Sequence, residues 1–201
     1  ESCDSENKHP MNVEQARFNM IEQQIRPWEV LDQGVLSLLA AVHREEFVPP
    51  AYRALAFIDT EVPLPEGQCM LAPRVEARLL QELRLARQES VLEVGAGSGY
   101  MAALLAHQSQ RVATLEIRPA LAAMARANLQ RAGIGNAQVI EADGAKGHAA
   151  QAPFDAIVIA AAFGEVPQAL LAQLADGGRL VMPLGHANQT LCVVERQGDS
   201  Y

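Results

Sequence analysis

Three closely spaced glycines follow a short apolar run near the middle of the chain. Val91–Val94 has the apolar side chains of a buried strand, and Gly95, Gly97 and Gly99 come directly after it. Glycine has no Cβ atom, so a ligand can approach the backbone closely and the chain can adopt the left-handed conformations of a tight turn. Such a turn before a helix is also expected to direct backbone N–H groups at the ligand. The segment therefore predicts a site for a nucleotide-like ligand.

The spacing of the glycines indicates which nucleotide-like ligand the site binds. The dinucleotide fingerprint is G-x-G-x-x-G, but here Tyr100 holds the last position and the third glycine comes one residue early. Glu93 also lies inside the strand, just before the turn. Both features favour S-adenosyl-L-methionine (SAM) over a nicotinamide or a flavin. The residues of this segment expected to bind the cofactor are Glu93, Gly95, Ala96, Gly97, Ser98 and Gly99.

Acidic residues close the next two predicted strands. Glu116 follows the glycine turn by about 20 residues, where a carboxylate accepts hydrogen bonds from ribose hydroxyls. Asp143 precedes Gly144 at the end of the third strand, where it can accept from an adenine amino group. The alternatives are a solvated charge at Glu116 and a plain Asp-Gly turn at Asp143. Ile117 and Gly144 complete the predicted cofactor-binding set.

Strand and helix patterns alternate along most of the chain. The predicted strands are Val91–Val94, Arg111–Ile117, Ala137–Glu141, Phe154–Ala160, Arg179–Pro183 and Thr190–Glu195, the last two forming a hairpin across Gly185–Gln189. Helical spacing covers Val13–Ile25, Leu31–Val42, Val75–Leu85 and Gly99–His107, and further helices begin at Pro119 and Pro167, the second with an apolar face at Leu170–Leu174. This order predicts an α/β fold with a doubly wound, mostly parallel sheet, as in Rossmann-like class I methyltransferases. Ligands bind at the strand carboxyl ends of such sheets.

The chain divides into four segments by composition. Residues 1–10 are polar and are interpreted as a leader or an added segment before Met11. Residues 11–57 predict a helical cap, 58–74 a proline-rich active-site loop, and 75–201 the α/β core. Loops of this length inside a domain are usually functional. We expect residues 11–201 to form a single domain.

Charge and cysteine content restrict the possible partners. The formal net charge of −8 argues against nucleic acid as the main partner and suits a cationic ligand such as SAM. Three scattered cysteines and the lack of a membrane-length apolar run predict a cytoplasmic protein without a disulfide framework. The histidines show no metal-ligand spacing, so no metal is expected.

Several other residues have two interpretations. Cys69 could be a nucleophile, but no histidine lies near it in sequence, which favours a small apolar loop residue. Phe18 and Trp28 are interpreted as packing residues of the cap. Asp155 opens a strand and is either a turn residue or part of the site.

From about Ile21 to Glu195 the chain resembles the protein-L-isoaspartate O-methyltransferase family. The matching segments are Phe47–Pro49, Gly67-Gln68, Ala72-Pro73, Val91–Tyr100, Glu116, Asp143-Gly144, Pro153–Ile157, Ala160–Ala162 and Leu174–Pro183. The resemblance implies methyl transfer from SAM to the free α-carboxylate of isoaspartyl residues in damaged proteins, leaving S-adenosyl-L-homocysteine (SAH). The product ester collapses to a succinimide, which reopens partly to normal aspartate.

The chain departs from the family in the loop before the first core helix. The family reads Gly-Gln-Thr-Ile-Ser there, and its serine is usually called catalytic. This chain has Gly67-Gln68-Cys69-Met70-Leu71, so Leu71 takes the place of the serine and the catalytic residue is unknown. Leucine has no hydrogen-bond donor. Two alternatives therefore stay open: a relative that methylates another carboxylate or small acceptor, and a catalytically silent SAM-binding module.

Overall fold

The computed structural model describes residues 12–161, 163–184 and 190–201. The predicted leader, the last residue of the alanine run and the hairpin turn at 185–189 lie outside the described residues. The cap begins with α1 (Val13–Met20), whose first turn is capped by the Asn12 side chain, and α2 (Gln33–Ala41), capped in the same way by Asp32. Between them lie a π-helical turn at Ile21–Ile25 and a 3₁₀ turn at Arg26–Trp28.

The core is one six-stranded sheet with four flanking helices. Its strands are β3 (Ser90–Val94), β4 (Arg111–Glu116), β5 (Ala137–Glu141), β6 (Phe154–Ile159), β7 (Leu174–Leu184) and β8 (Thr190–Glu195), and a separate small hairpin joins β1 (Val62–Pro63) to β2 (Cys69–Met70). The helices are α3 (Pro73–Leu83), α4 (Tyr100–Gln108), α5 (Pro119–Arg131) and α6 (Gln168–Leu171).

The strand order is β5-β4-β3-β6-β7-β8, with every pair parallel except β7 and β8. The chain moves outward from β3 to β5, then returns to the other side of β3 through β6. This reversal creates a crevice beside the carboxyl end of β3, where the glycines lie. The predicted doubly wound, mostly parallel fold is confirmed.

β7 is longer than predicted, and the helix before it is shorter. The helix α6 ends at Leu171, and Leu174 already pairs with Phe154 of β6. The register then shifts before Arg179 pairs with Ala156, so residues 176–178 form an irregularity within the strand. A Cβ on Gly178 would lie 2.8 Å from the Ala175 carbonyl oxygen, which explains why only glycine fits there.

Phe18 and Trp28, interpreted as packing residues of the cap, are not buried in its core. Their exposed fractions are 59% and 53%. Trp28 instead stacks against the Arg74 guanidinium, whose carbon lies 3.8 Å from the ring centroid. No helix within the described residues is long and apolar enough to span a membrane.

Candidate active site

A cavity of about 420 Å³ opens at the carboxyl ends of β3, β4 and β6. Its walls come from the glycine turn, the residues after β4 and β5, and the segment around the β1–β2 hairpin. Among the residues that line it are Gly95, Gly97, Glu116, Ile117, Asp143 and Gly144. We call this space the main cavity. Six of the ten predicted cofactor-binding residues thus face one volume.

The glycine turn has the conformation that its sequence predicts. Gly95, Gly97 and Gly99 have φ angles of 95°, 53° and 89°, a region that other residues rarely adopt. Gly99 also allows close packing, because a Cβ there would lie 3.2 Å from the Ala125 carbonyl oxygen of α5. Gly99 therefore allows α5 to pack closely against the turn. The third glycine of the dinucleotide fingerprint likewise allows close packing of a helix.

The N–H groups of the turn are mostly used within the protein, contrary to expectation. The Gly95 and Ala96 amides both donate to the Leu115 carbonyl, at 2.9 and 3.1 Å, and the Gly99 amide donates to the Ala96 carbonyl at 2.8 Å. The Gly97 amide donates to Glu116. The turn therefore contributes open space and close backbone approach more than free donors.

Glu116 joins the turn to the end of β4. One carboxylate oxygen accepts from the Gly97 amide at 3.1 Å and the other from the Arg118 amide at 3.1 Å. A carboxylate has about four lone-pair positions, so acceptor capacity remains for ligand hydroxyls. The side chain is thus held rigidly at the cavity wall by two backbone donors.

Ile117 and Asp143 lie at the same end of the main cavity. Ile117 is 60% exposed, which is unusual for an isoleucine and leaves an apolar surface available to a flat ring. The Asp143 carboxylate accepts from the Ala145 amide at 3.1 Å and lies 3.8 Å from the Lys146 ammonium. Gly144 is required for packing, because a Cβ there would lie 2.3 Å from Val94.

Glu93 and the turn residues Ala96 and Ser98 do not line the main cavity. Together with Tyr100 they line a smaller cavity of about 30 Å³, the side cavity, which shares Gly95 and Gly97 with the main one. The backbone carbonyl of Ser98 accepts from the Asn128 side chain at 2.8 Å.

Glu93 is fully buried at the side cavity. One of its oxygens accepts from the Thr114 hydroxyl at 2.6 Å, and the other has no partner among the described residues. Burial raises the pKa of Glu93 to about 8, although the bond from Thr114 acts in the opposite direction. Its carboxyl therefore holds a proton through much of the neutral range.

Sequence reasoning missed a buried ion pair whose carboxylate, on Glu76, lines the side cavity. Arg44, from the cap, forms an ion pair with Glu76 of α3, and its guanidinium lies 5.1 Å from the centre of the Tyr100 ring. Burial raises the pKa of Glu76, with Arg44 opposing that shift. Arg44 and Glu76 are 32 residues apart, so no local pattern could have paired them.

The model of the Protein-L-isoaspartate(D-aspartate) O-methyltransferase family matches residues 15–201. The chain belongs to this family. It is 44% identical over 182 residues to the protein-L-isoaspartate O-methyltransferase of Koribacter versatilis, covering 90% of this chain and 82% of that protein. The Methanoregula boonei protein of the same name is also 44% identical, over 186 residues, with 92% and 86% covered.

Solved structures support the fold. A protein-L-isoaspartate O-methyltransferase superposes with a TM-score of 0.78 at 23% identity, covering 92% of this chain and 60% of the other. A Plasmodium falciparum protein described as a beta-aspartate methyltransferase, in complex with SAH, has the same TM-score and identity, with 94% and 92% covered. This family of methyltransferases uses SAM, so the predicted family, enzyme class and cofactor are confirmed.

Leu71 lines both cavities from the family's serine position. Its side chain is partly buried against the core, and its carbonyl accepts from Arg44 at 3.0 Å. The Cys69 side chain is exposed overall, but partial desolvation of its thiol, reinforced by the Glu61 carboxylate, raises the pKa of Cys69 to about 11. A thiol with that pKa is protonated at neutral pH, which argues against a nucleophilic role.

Asp155 has a structural role at the opposite end of the sheet. Its carboxylate accepts from the Ser90 amide at 2.8 Å and from the Ser90 hydroxyl at 3.2 Å. It therefore ties the start of β6 to the start of β3. Among the described residues there is also no group of three or more His, Cys, Asp or Glu side chains that could hold a metal ion.

Proposed function

We propose that this protein transfers a methyl group from SAM to the free α-carboxylate of isoaspartyl residues in damaged proteins. The observation that carries the proposal is that Glu116, Asp143 and Leu71 line one cavity, in a chain that matches this family over residues 15–201. The strand-end acids form a cofactor wall, and Leu71 stands on the facing acceptor wall.

The cofactor wall fits SAM in shape and in charge. Glu116 keeps free lone pairs for the ribose hydroxyls, and Asp143 can accept from the adenine amino group. The exposed face of Ile117 offers apolar contact to the adenine ring. The carboxylates also complement the positive sulfonium. Glu93, Gly95, Ala96, Gly97, Ser98, Gly99 and Gly144 support this wall through the turn and its packing.

The acceptor wall is apolar where the reaction is proposed to occur. Leu71, Ala161, Phe163 and Pro183 contribute side chains to the main cavity. SAM supplies an activated methyl group, and a substrate carboxylate is already ionised at neutral pH, so no general base is required. The residues of this wall then serve to align the acceptor and to exclude water.

Leu71 lowers the expected rate without removing the activity. A serine there would supply a donor to the substrate carboxylate, and the loss of one such hydrogen bond costs about 1–3 kcal/mol. That cost corresponds to a loss of about one to two orders of magnitude in rate. The proposed partner is therefore a protein or peptide with an isoaspartyl residue. The cytoplasm is its proposed location, in keeping with the cysteine content of the chain.

A peptide pair that differs only in one linkage tests the proposal. The protein is incubated with SAM and either an isoaspartyl peptide or its normal aspartyl twin, and methylation is followed by mass spectrometry. We expect one added methyl group on the isoaspartyl peptide alone, and strongly reduced transfer with Glu116→Gln at low SAM concentration. Binding of SAH without transfer to either peptide would contradict the proposal and favour a silent binding module. Transfer to both peptides, or only to small carboxylates in a cell extract, would indicate another acceptor.

A further inference from the structure

We infer that Arg44 is a positioning residue that holds the acceptor wall against the cofactor wall. This inference rests on the proposed function, and Arg44 itself does not line the main cavity. Its side chain is 1% exposed, so the guanidinium is buried between the cap and the core.

The first group that Arg44 holds is the backbone of the acceptor wall. The Nη2 atom of Arg44 donates to the Leu71 carbonyl at 3.0 Å, and the Nη1 atom forms the ion pair with Glu76. Glu76 lies in the first turn of α3, directly after the loop that contains Leu71. The two bonds together fix the backbone at position 71 relative to α3, whichever side chain that position has.

The second group is the start of the helix that follows the glycine turn. The guanidinium lies 5.1 Å from the centroid of the Tyr100 ring, and Phe47 packs on the same ring at 5.5 Å between centroids. Tyr100 is the first residue of α4, next to Gly99. Arg44 therefore contacts both the backbone of the acceptor wall and the helix that begins directly after the glycine turn.

Only a planar, multiply donating cation can make these three contacts at once. A guanidinium presents donors in a fixed fork and stacks on aromatic rings, whereas an ammonium is a compact point charge. Lysine at position 44 could keep the ion pair with Glu76 but would lose either the bond to Leu71 or the contact with Tyr100.

Arg17 provides a matched control. It is also buried in the cap, with a carboxylate of Glu45 at 2.6 Å and its guanidinium 5.7 Å from the centroid of the Phe57 ring. None of its hydrogen bonds or ion pairs with described residues involves a residue that lines either cavity. Arg17→Lys therefore makes the same chemical change in a similar buried environment, at a guanidinium that is bonded to neither Leu71 nor Glu76.

The experiment compares Arg44→Lys with Arg17→Lys by thermal melting, SAH calorimetry and single-turnover transfer to an isoaspartyl peptide at saturating SAM. We expect similar decreases in Tm for both, an SAH Kd within about threefold of the wild type for both, and a rate decrease of about tenfold or more for Arg44→Lys alone. Equal rates for the two variants, corrected for the folded fraction, would overturn the inference.

Two further measurements keep the inference testable if Arg44→Lys does not fold or if the wild type transfers no methyl group. The double variant Arg44→Met with Glu76→Leu replaces the buried pair by apolar side chains, which often preserves stability. Its rate of methyl transfer should fall as much as that of Arg44→Lys. Hydrogen exchange of the amides in residues 68–72 needs no activity at all. It should increase in the Arg44 variants and not in Arg17→Lys; unchanged exchange would contradict the inference even where the proposed function had failed.

Discussion

The two walls of the main cavity are built in different ways. The cofactor wall lies at the ends of β3, β4 and β5. Its Glu116 carboxylate accepts two hydrogen bonds from backbone amides, each of 3.1 Å. The acceptor wall is the irregular segment around the β1–β2 hairpin, where each strand has two residues. Its position depends on a few side-chain contacts, among them the bond from Arg44 to the Leu71 carbonyl.

This difference bears on the departure from the family at position 71. On the cofactor wall, the Glu116 and Asp143 carboxylates are held at the strand ends by nearby backbone amides, so a change of either side chain removes a proposed ligand contact directly. On the acceptor wall, the backbone at position 71 is held from behind by Arg44. Its side chain can therefore change from serine to leucine without disturbing the cofactor wall. Four substitutions test this difference between the two walls, and they are described in order of decreasing expected effect.

Glu93→Gln tests the protonation state of the carboxyl group that is buried beside the side cavity. Because burial raises the pKa of Glu93 from 4.5 to about 8, the folded chain keeps a proton that the unfolded chain has released between these values. The stability of the wild type relative to Glu93→Gln should therefore fall as the pH rises across that window, by about 3 kcal/mol from about pH 5 to pH 8. Urea unfolding of both proteins at several pH values measures this. A pH-independent difference would mean that Glu93 is ionised in the folded state.

Glu116→Gln tests the cofactor wall at its surface. The substitution removes the charge that accepts from the Gly97 and Arg118 amides, and with it the strongest acceptor proposed for ribose. We expect the Kd for SAH to rise about 100-fold by calorimetry. Glu141→Gln is the control, because Glu141 also ends a strand but forms an exposed ion pair with Arg126. Equal effects of the two substitutions would place the cofactor elsewhere.

Leu71→Ser tests the acceptor wall. A hydroxyl at this position would supply the missing donor to the substrate carboxylate, so kcat/KM for an isoaspartyl peptide should rise about tenfold with SAH affinity unchanged. Cys69→Ser places a hydroxyl on the same segment at an exposed position and should give no gain. If both variants matched the wild type, alignment in this protein would depend on other donors.

Ile117→Ala tests the apolar part of the cofactor wall. Removing most of this exposed side chain should weaken SAH binding about fivefold, since the lost contact area is worth about 1 kcal/mol. Ile58→Ala is the control, because Ile58 is 49% exposed and does not line the main cavity. An unchanged Kd in both variants would show that adenine does not lie on Ile117.

The cofactor wall could be predicted in outline because its signals are local. An apolar strand, a glycine turn and an acid at the end of the next strand all occur within one βαβ unit, and a parallel sheet brings such ends together. The hydrogen bonds of the turn could not be predicted, since the Leu115 carbonyl that accepts from Gly95 and Ala96 belongs to the neighbouring strand.

The sequence by itself determined the fold class, the position of the crevice and the acids at its edge, because hydrophobic periodicity and turn chemistry act between near neighbours. Only the tertiary structure showed that Glu93 is buried beside the side cavity, that Asp155 lies at the opposite end of the sheet, and that Arg44 meets Leu71 and Tyr100. These arrangements depend on contacts between residues far apart in the chain. Such contacts form only when packing buries the groups together, and burial also sets the charge that each group carries.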